Sequence, residues 1–265
     1  MDLQDICNRV VNLSRQTGDF IREQRKTFSI DRVESKGLHD FVSYVDKQSE
    51  ELIVAGLQEI LPEAGFIAEE GTGKANPGGL NWVIDPLDGT TNFIHGLPPY
   101  AISIALMNSE KVVLGVVYEV SLNECFYSWG NGKSYLNGNE IKVSEISSVD
   151  ESLIATGFPY YDYNRIQQFL ASMEHFMRFS HGLRRLGSAA TDLVYVACGR
   201  FEAFYEYSLN PWDVAAGAFI VQQAGGSASD FSGGQNYIFG KEIVAANGAV
   251  FNNFLSIVKG FMASK

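Results

Sequence analysis

No run of eighteen apolar residues occurs in this chain, so no transmembrane helix is expected. Cysteine is scarce. Cys7, Cys125 and Cys198 are scattered and odd in number, and form neither a disulfide framework nor a zinc-ligand spacing. A reduced, cytoplasmic setting follows as the simplest expectation. His39, His95, His175 and His181 also lack ligand spacing, which argues against zinc. Basic residues never gather into a patch: the nearest approach is the pair Arg184–Arg185, against a net charge of −11. A nucleic-acid partner held through its phosphates is therefore not expected. The opening stretch, MDLQDICNRVVNLSRQ, is acidic early and amphipathic, unlike a secretory signal.

What is present reads as a globular α/β chain. Hydrophobic residues make up 46% of 265, enough for a sizeable core. Leu3, Ile6, Val10, Leu13, Phe20 and Ile21 recur at helical spacing, and a second helix is expected from about Asp46 to Leu61, stopped by Pro62. Residues 27–44 read as a hairpin or a mobile loop. Strands follow at 64–70, 81–85, 100–107, 111–120 and 123–129, with a hairpin turn at Asn137–Gly138. This half, residues 1–150, reads as an α+β sheet with helices on one face. From 151 to 265 short strands alternate with helices at 163–177, 188–199, 211–226 and 248–262, the pattern of an α/β half packed tightly against the first.

The informative stretch is WVIDPLDGTTNF, residues 82–93. An apolar strand runs into Asp85 and Asp88, then Gly89, Thr90 and Thr91. Other acids also fall at element ends: Glu69 and Glu70 after FIA, Glu206 at the end of FEAFYE, and Asp213 in the first turn of a helix. Such positions converge on one crevice in layered α/β proteins. Clustered carboxylates without a cation beside them repel strongly. Hard cations such as Mg²⁺ take this oxygen-rich set and keep some waters. The backbone N–H groups of Gly89 and Thr90 can cradle an anion. Each residue has a plainer reading. Asp88–Gly89 can be a turn, Asp213 a partner for the helix dipole, Glu69–Glu70 a solvated pair, Glu206 the polar side of an edge strand, and Gly187–Ala189 a close-packed helix start.

Taken together, WVIDPLDGTTNF, the downstream WDVAAG, IAEEG, GSA and YEY resemble the signature segments of the inositol monophosphatase family, and the likeness runs along nearly the whole chain. The resemblance implies a layered αβαβα sandwich, usually a homodimer, Mg²⁺-dependent with two to three ions and commonly inhibited by lithium. By the same resemblance, Glu69, Asp85 and the carbonyl of Leu87 hold the first Mg²⁺, and Asp85, Asp88 and Asp213 the second. Glu69 and Thr90 position the attacking water, and the N–H groups of Gly89 and Thr90 bind phosphate. Ala189 and Glu206, with Asp88 and Asp213, contact the alcohol. Lys36 matches a lysine on a mobile loop near the metals, and Asp46 a nearby acid. The expected activity is hydrolysis of myo-inositol 1-phosphate and related polyol phosphates. The alternatives are fructose 1,6-bisphosphate or a nucleotide phosphate as substrate, or a metal-dependent binding protein. No basic residue near the second motif is evident to hold a second phosphate.

Overall fold

The computed structural model describes residues 2–29, 33–37, 40–130 and 132–262. Two helices come first, α1 (Leu3–Thr27) and α2 (Tyr44–Ile60), flanking an antiparallel hairpin of β1 (Val33–Gly37) and β2 (Asp40–Ser43). Residues 27–44 thus contain a hairpin, while the side chain of Lys36 lies outside the described residues. Ser43 caps α2: its hydroxyl accepts from the N–H of Val45, and Asp46 reaches back to the N–H of Ser43.

The first sheet holds β3 (Gly65–Ala68), β4 (Leu80–Asp88), β5 (Ala101–Asn108), β6 (Lys111–Glu119), β7 (Glu124–Trp129), β8 (Ser134–Leu136) and β9 (Asn139–Ile141), paired in that order. A short helix, α3 (Thr90–His95), interrupts it after β4. Asn137 and Gly138 both have positive φ, as a tight β8–β9 turn requires. The second sheet runs β11 (Gly182–Arg184), β10 (Leu153–Thr156), β12 (Ala203–Tyr207), β14 (Glu242–Asn247), β13 (Gly226–Ser229). Pairing is parallel among β11, β10 and β12 and antiparallel at β14. The remaining helices are α4 (Ile166–Arg178), α5 (Ala189–Ala197), α6 (Pro211–Gln223) and α7 (Phe251–Met262).

Strand alternation sorts side chains into three cores. Trp82 and Ile84 pack with α1 and α2, while Val83 packs with α5 and α6. In the second sheet Phe204 and Ala245 join that same middle core, and Tyr205 and Val244 face α4 and α7. The result is five layers, αβαβα. Helices therefore cover both faces of the first sheet, not one as its own sequence indicates. The covering helices for the second face, α5 and α6, come from the later half of the chain. Among the described residues, no helix is long and apolar enough to cross a membrane.

Candidate active site

β4 carries an irregularity that shapes the site. Asp85 pairs with Ser103 and Asp88 with Ala101, so three steps on β4 match two on β5, a bulge that contains Pro86. The bulge reverses the alternation. Leu87 packs with Trp82 and Ile84, although a regular strand would place it on the side of Val83. Asp85 and Asp88 therefore share one side, and both line a cleft of about 140 Å³. At Gly89 the chain adopts φ 91°, and a Cβ there would lie 3.0 Å from the carbonyl oxygen of Pro99, so glycine is required twice over.

Nine of the residues singled out from the sequence line this one cleft, Glu69, Asp85, Leu87, Asp88, Gly89, Thr90, Ala189, Glu206 and Asp213, whereas Glu70 and Asp46 are not in its lining. Several are fixed by hydrogen bonds. Asp85 Oδ1 accepts from the N–H of Leu87 at 2.9 Å. Asp88 Oδ2 accepts from Ser188 Oγ at 2.6 Å and from the N–H of Ala190 at 2.7 Å, tying the first sheet to α5. Asp213 Oδ2 accepts from the N–H of Asn210 at 2.7 Å. Asp213 is thus both a helix-start residue and part of the cleft, so those two readings are not exclusive. Thr90 Oγ1 lies 2.8 Å from Asp46 Oδ1 and 3.0 Å from the carbonyl oxygen of Leu87. Its proton goes to one of them, and its lone pairs stay available to a further donor. Glu206 sits on β12, an interior strand, which rules out the edge-strand reading. Gly157 makes room for it: a Cβ there would fall 2.0 Å from the Glu206 carboxylate.

The electrostatics are those of buried, mutually repelling acids. Burial, then the charges of Glu69, Asp88 and Asp213, push Asp85 well above the carboxylate range. Asp213 is raised by burial and Asp88. Burial raises Asp88 to about 6, against the opposing Ser188 and Ala190 hydrogen bonds. Glu206 rises to about 8 through burial and Asp88, against the opposing pull of Arg185. Among the described residues no three His, Cys, Asp or Glu side chains close into a metal cage by themselves. The donor set nonetheless fits Mg²⁺, which takes a few carboxylates and retains waters, and a cation would offset the burial and repulsion that raise these carboxyls.

Several contributors lie outside the set of site residues read from the sequence. Glu50 is fully buried, and its two oxygens accept from the N–H groups of Glu70 and Thr72 at 2.8 Å, clamping the turn that presents Glu69. Asn92 donates to the carbonyl oxygens of Pro99 and Leu186, joining α3 to the β11–α5 loop. Arg185, read from sequence only as half of a basic pair, lines the cleft with Tyr160. It shares that lining with Asp213 of the second motif, near which no basic residue is evident from the sequence to hold a second phosphate.

Five layers with an acidic cleft where strand ends and helix starts meet define a layered α/β protein of the sugar-phosphatase type. The chain belongs to the inositol monophosphatase family, whose profile matches residues 2–260. Among its relatives, a putative Nus factor SuhB of Neisseria meningitidis is 39% identical over 97% of this chain and 98% of its own. An inositol-1-monophosphatase of Mesorhizobium japonicum is 38% identical over 86% of each. Two solved structures share the fold: an IMPase from Thermotoga maritima, at 34% identity and a TM-score of 0.87 over 98% of both chains, and the extragenic suppressor protein suhB from Bartonella henselae, at 33% identity and 0.89 over 95% of this chain and 97% of that one.

Proposed function

We propose that this protein is a Mg²⁺-dependent phosphomonoesterase that hydrolyses myo-inositol 1-phosphate and related small polyol phosphates to free alcohol and phosphate. The observation that supports it is the meeting of Glu69, Asp85, Leu87, Asp88 and Asp213 with Gly89, Thr90 and Glu206 in one cleft. Glu69, Asp85, the carbonyl of Leu87, Asp88 and Asp213 would hold two to three ions. Bound there, Mg²⁺ supplies Lewis acidity, acidifying water and neutralising charge on the phosphate and leaving oxygens. The N–H groups of Gly89 and Thr90 take phosphate oxygens. Thr90, steadied by Asp46, and Glu69 orient the water, and the Glu69 carboxylate accepts its proton. Glu206 accepts hydrogen bonds from hydroxyls of the leaving alcohol, and Ala189 and Asp213 border it.

The test is phosphate release from a substrate panel with excess Mg²⁺, with EDTA, and after Mg²⁺ is restored. Release that stops in EDTA and returns with Mg²⁺, with inositol 1-phosphate best, is expected. Release that persists in EDTA removes the metal. A tenfold preference for fructose 1,6-bisphosphate or adenosine 3′,5′-bisphosphate removes the polyol assignment (tenfold being about 1.4 kcal/mol). Glu206→Gln should weaken the inositol ester about tenfold more than an aryl phosphate, because a pocket built to bond hydroxyls penalises their unpaired partners.

A second reading rests on the relatives named Nus factor SuhB, among them that of Escherichia coli at 37% identity over 96% of both chains: a role shared with them that needs the fold but not hydrolysis. Supplying wild-type and Asp85→Asn protein to an E. coli strain lacking its SuhB separates the two. Rescue by both supports the second reading, and rescue by neither removes it.

A further inference from the structure

Among the described residues, Arg185 is the sole Lys or Arg lining the cleft. Its guanidinium carbon lies 5.2 Å from the ring centroid of Phe158 and 5.7 Å from that of Tyr160. One terminal nitrogen donates to the hydroxyl of Tyr160. The other lies over Gly187, where a Cβ would approach it to 2.7 Å. Nε is buried without a partner. The group is thus held by rings, a phenol and a missing side chain, not by a carboxylate. Asp88 and Glu206 both feel its charge, yet among the described residues it closes an ion pair with neither.

An unpaired cation facing two carboxylates across a cleft is an unusual thing to leave standing. A guanidinium with free donors and a carboxylate with free acceptors would normally collapse together, since a bidentate pair is the strongest contact available to either. Phe158, Tyr160 and Gly187 hold them apart. The space between offers donors on one side and acceptors on the other. A second phosphate or carboxylate on the ligand would meet Arg185 but also Glu206 and Asp88. A neutral polyol meets both walls well, because each hydroxyl donates once and accepts twice.

We infer that Arg185 is a specificity-determining residue of the alcohol subsite, donating to a hydroxyl of the polyol next to the one that donates to Glu206, with Tyr160 positioning its guanidinium. This rests on the polyol phosphatase reading and adds to it a named donor. It also explains why the aromatic segment after β10 stands where it does: Tyr160 shapes recognition through Arg185 and not through phosphate.

The experiment compares myo-inositol 1-phosphate with cyclohexyl phosphate, the same ring without hydroxyls, on the Mg²⁺-loaded protein. Arg185→Ala should lower the ratio of their kcat/KM values about tenfold, mainly by raising KM for the inositol ester. Tyr160→Phe should move the same ratio in the same direction by about threefold, and because this variant keeps the ring it guards against a folding defect in the first. Equal losses on both esters, or an unchanged ratio, would overturn the role. A loss on fructose 1,6-bisphosphate larger than that on inositol 1-phosphate would also overturn it, by making Arg185 an anion seat. If the wild-type protein itself shows no preference for the inositol ester over cyclohexyl phosphate, the polyol reading fails, whereas a wild-type preference that is undiminished in Arg185→Ala sinks this inference alone.

Discussion

The two walls of the cleft are built by different means. The wall assigned to metal and phosphate comes largely from one continuous stretch, β4, its bulge and the start of α3, with Asp85, Leu87, Asp88, Gly89 and Thr90 within six positions. The alcohol wall is assembled from the end of β10, the β11–α5 loop and β12, which bring Gly157, Arg185 and Glu206 together from 50 residues of sequence. Backbone geometry fixes the first wall: a bulge and a left-handed glycine aim its groups. Side-chain packing fixes the second. Chemistry common to many substrates suits the first kind of construction, and recognition of a particular alcohol suits the second, because packing contacts can change one at a time.

The largest effect should come from the first wall. Asp85→Asn is expected to lower Mg²⁺-supported phosphate release on the order of 10²- to 10³-fold. Its melting temperature in EDTA should hold or rise, since a buried carboxylate beside three others is relieved. Normal turnover with a lower melting temperature would erase the proposed division between the walls. A smaller effect is expected from Gly157→Ala, which perturbs only the second wall. Its Cβ must displace the Glu206 carboxylate, costing about 1–3 kcal/mol by overpacking. Denaturant melts should show that loss, and preference for the inositol ester over an aryl phosphate should fall with it. A stable variant with intact preference would mean that Glu206 is not held where the packing puts it.

The smallest effect is in pH. Burial raises the Glu206 carboxyl to about 8 and the Asp88 carboxyl to about 6. The folded protein then binds these protons more tightly than the unfolded chain, so their contribution to stability is complete below the ordinary carboxylate range. It is lost as pH rises through about 6 for Asp88 and about 8 for Glu206. Metal-free protein should therefore melt at lower temperature at pH 9 than at pH 5. Glu206→Gln should flatten the upper part of that fall. An unchanged slope in the variant would take Glu206 out of the coupled set.

The same division explains what could be read from the sequence. WVIDPLDGTTNF declares itself because its acids, its proline and its glycine serve a local backbone path. Helix and strand positions were legible for the same reason: α1, α2 and β4–β7 carry strong local periods. The bulge was not, since a register slip appears only against a partner strand. Nor was the second covering of the first sheet, because the residues of α5 and α6 say that they are buried but not between which layers. Glu50 had no signal, and Arg185 only that of a basic pair. Glu50 looks like any acid on a helix, and Arg185 acquires its place only once Phe158 and Tyr160 fold beneath it. Asp213 was legible as a cleft residue, yet the hydrogen bond it accepts from the N–H of Asn210 gives it a share in starting α6 as well.

Helix α6 lies between two sheets, with the run Val214–Val221 buried throughout. Where it crosses β6, a Cβ on Gly115 would come within 2.9 Å of the carbonyl oxygen of Ala216, and a Cβ on Gly217 would come within 2.7 Å of Leu193. Such closeness admits no larger residue without moving the helix, and its first turn carries Asp213 into the cleft. A collection of random variants selected only for lost turnover would therefore be expected to return substitutions at Gly115, Ala216 and Gly217 alongside those at the carboxylates. An observer mapping inherited variation in this chain would find a line of intolerance running from the back of the first sheet, along the axis of α6, to the cleft.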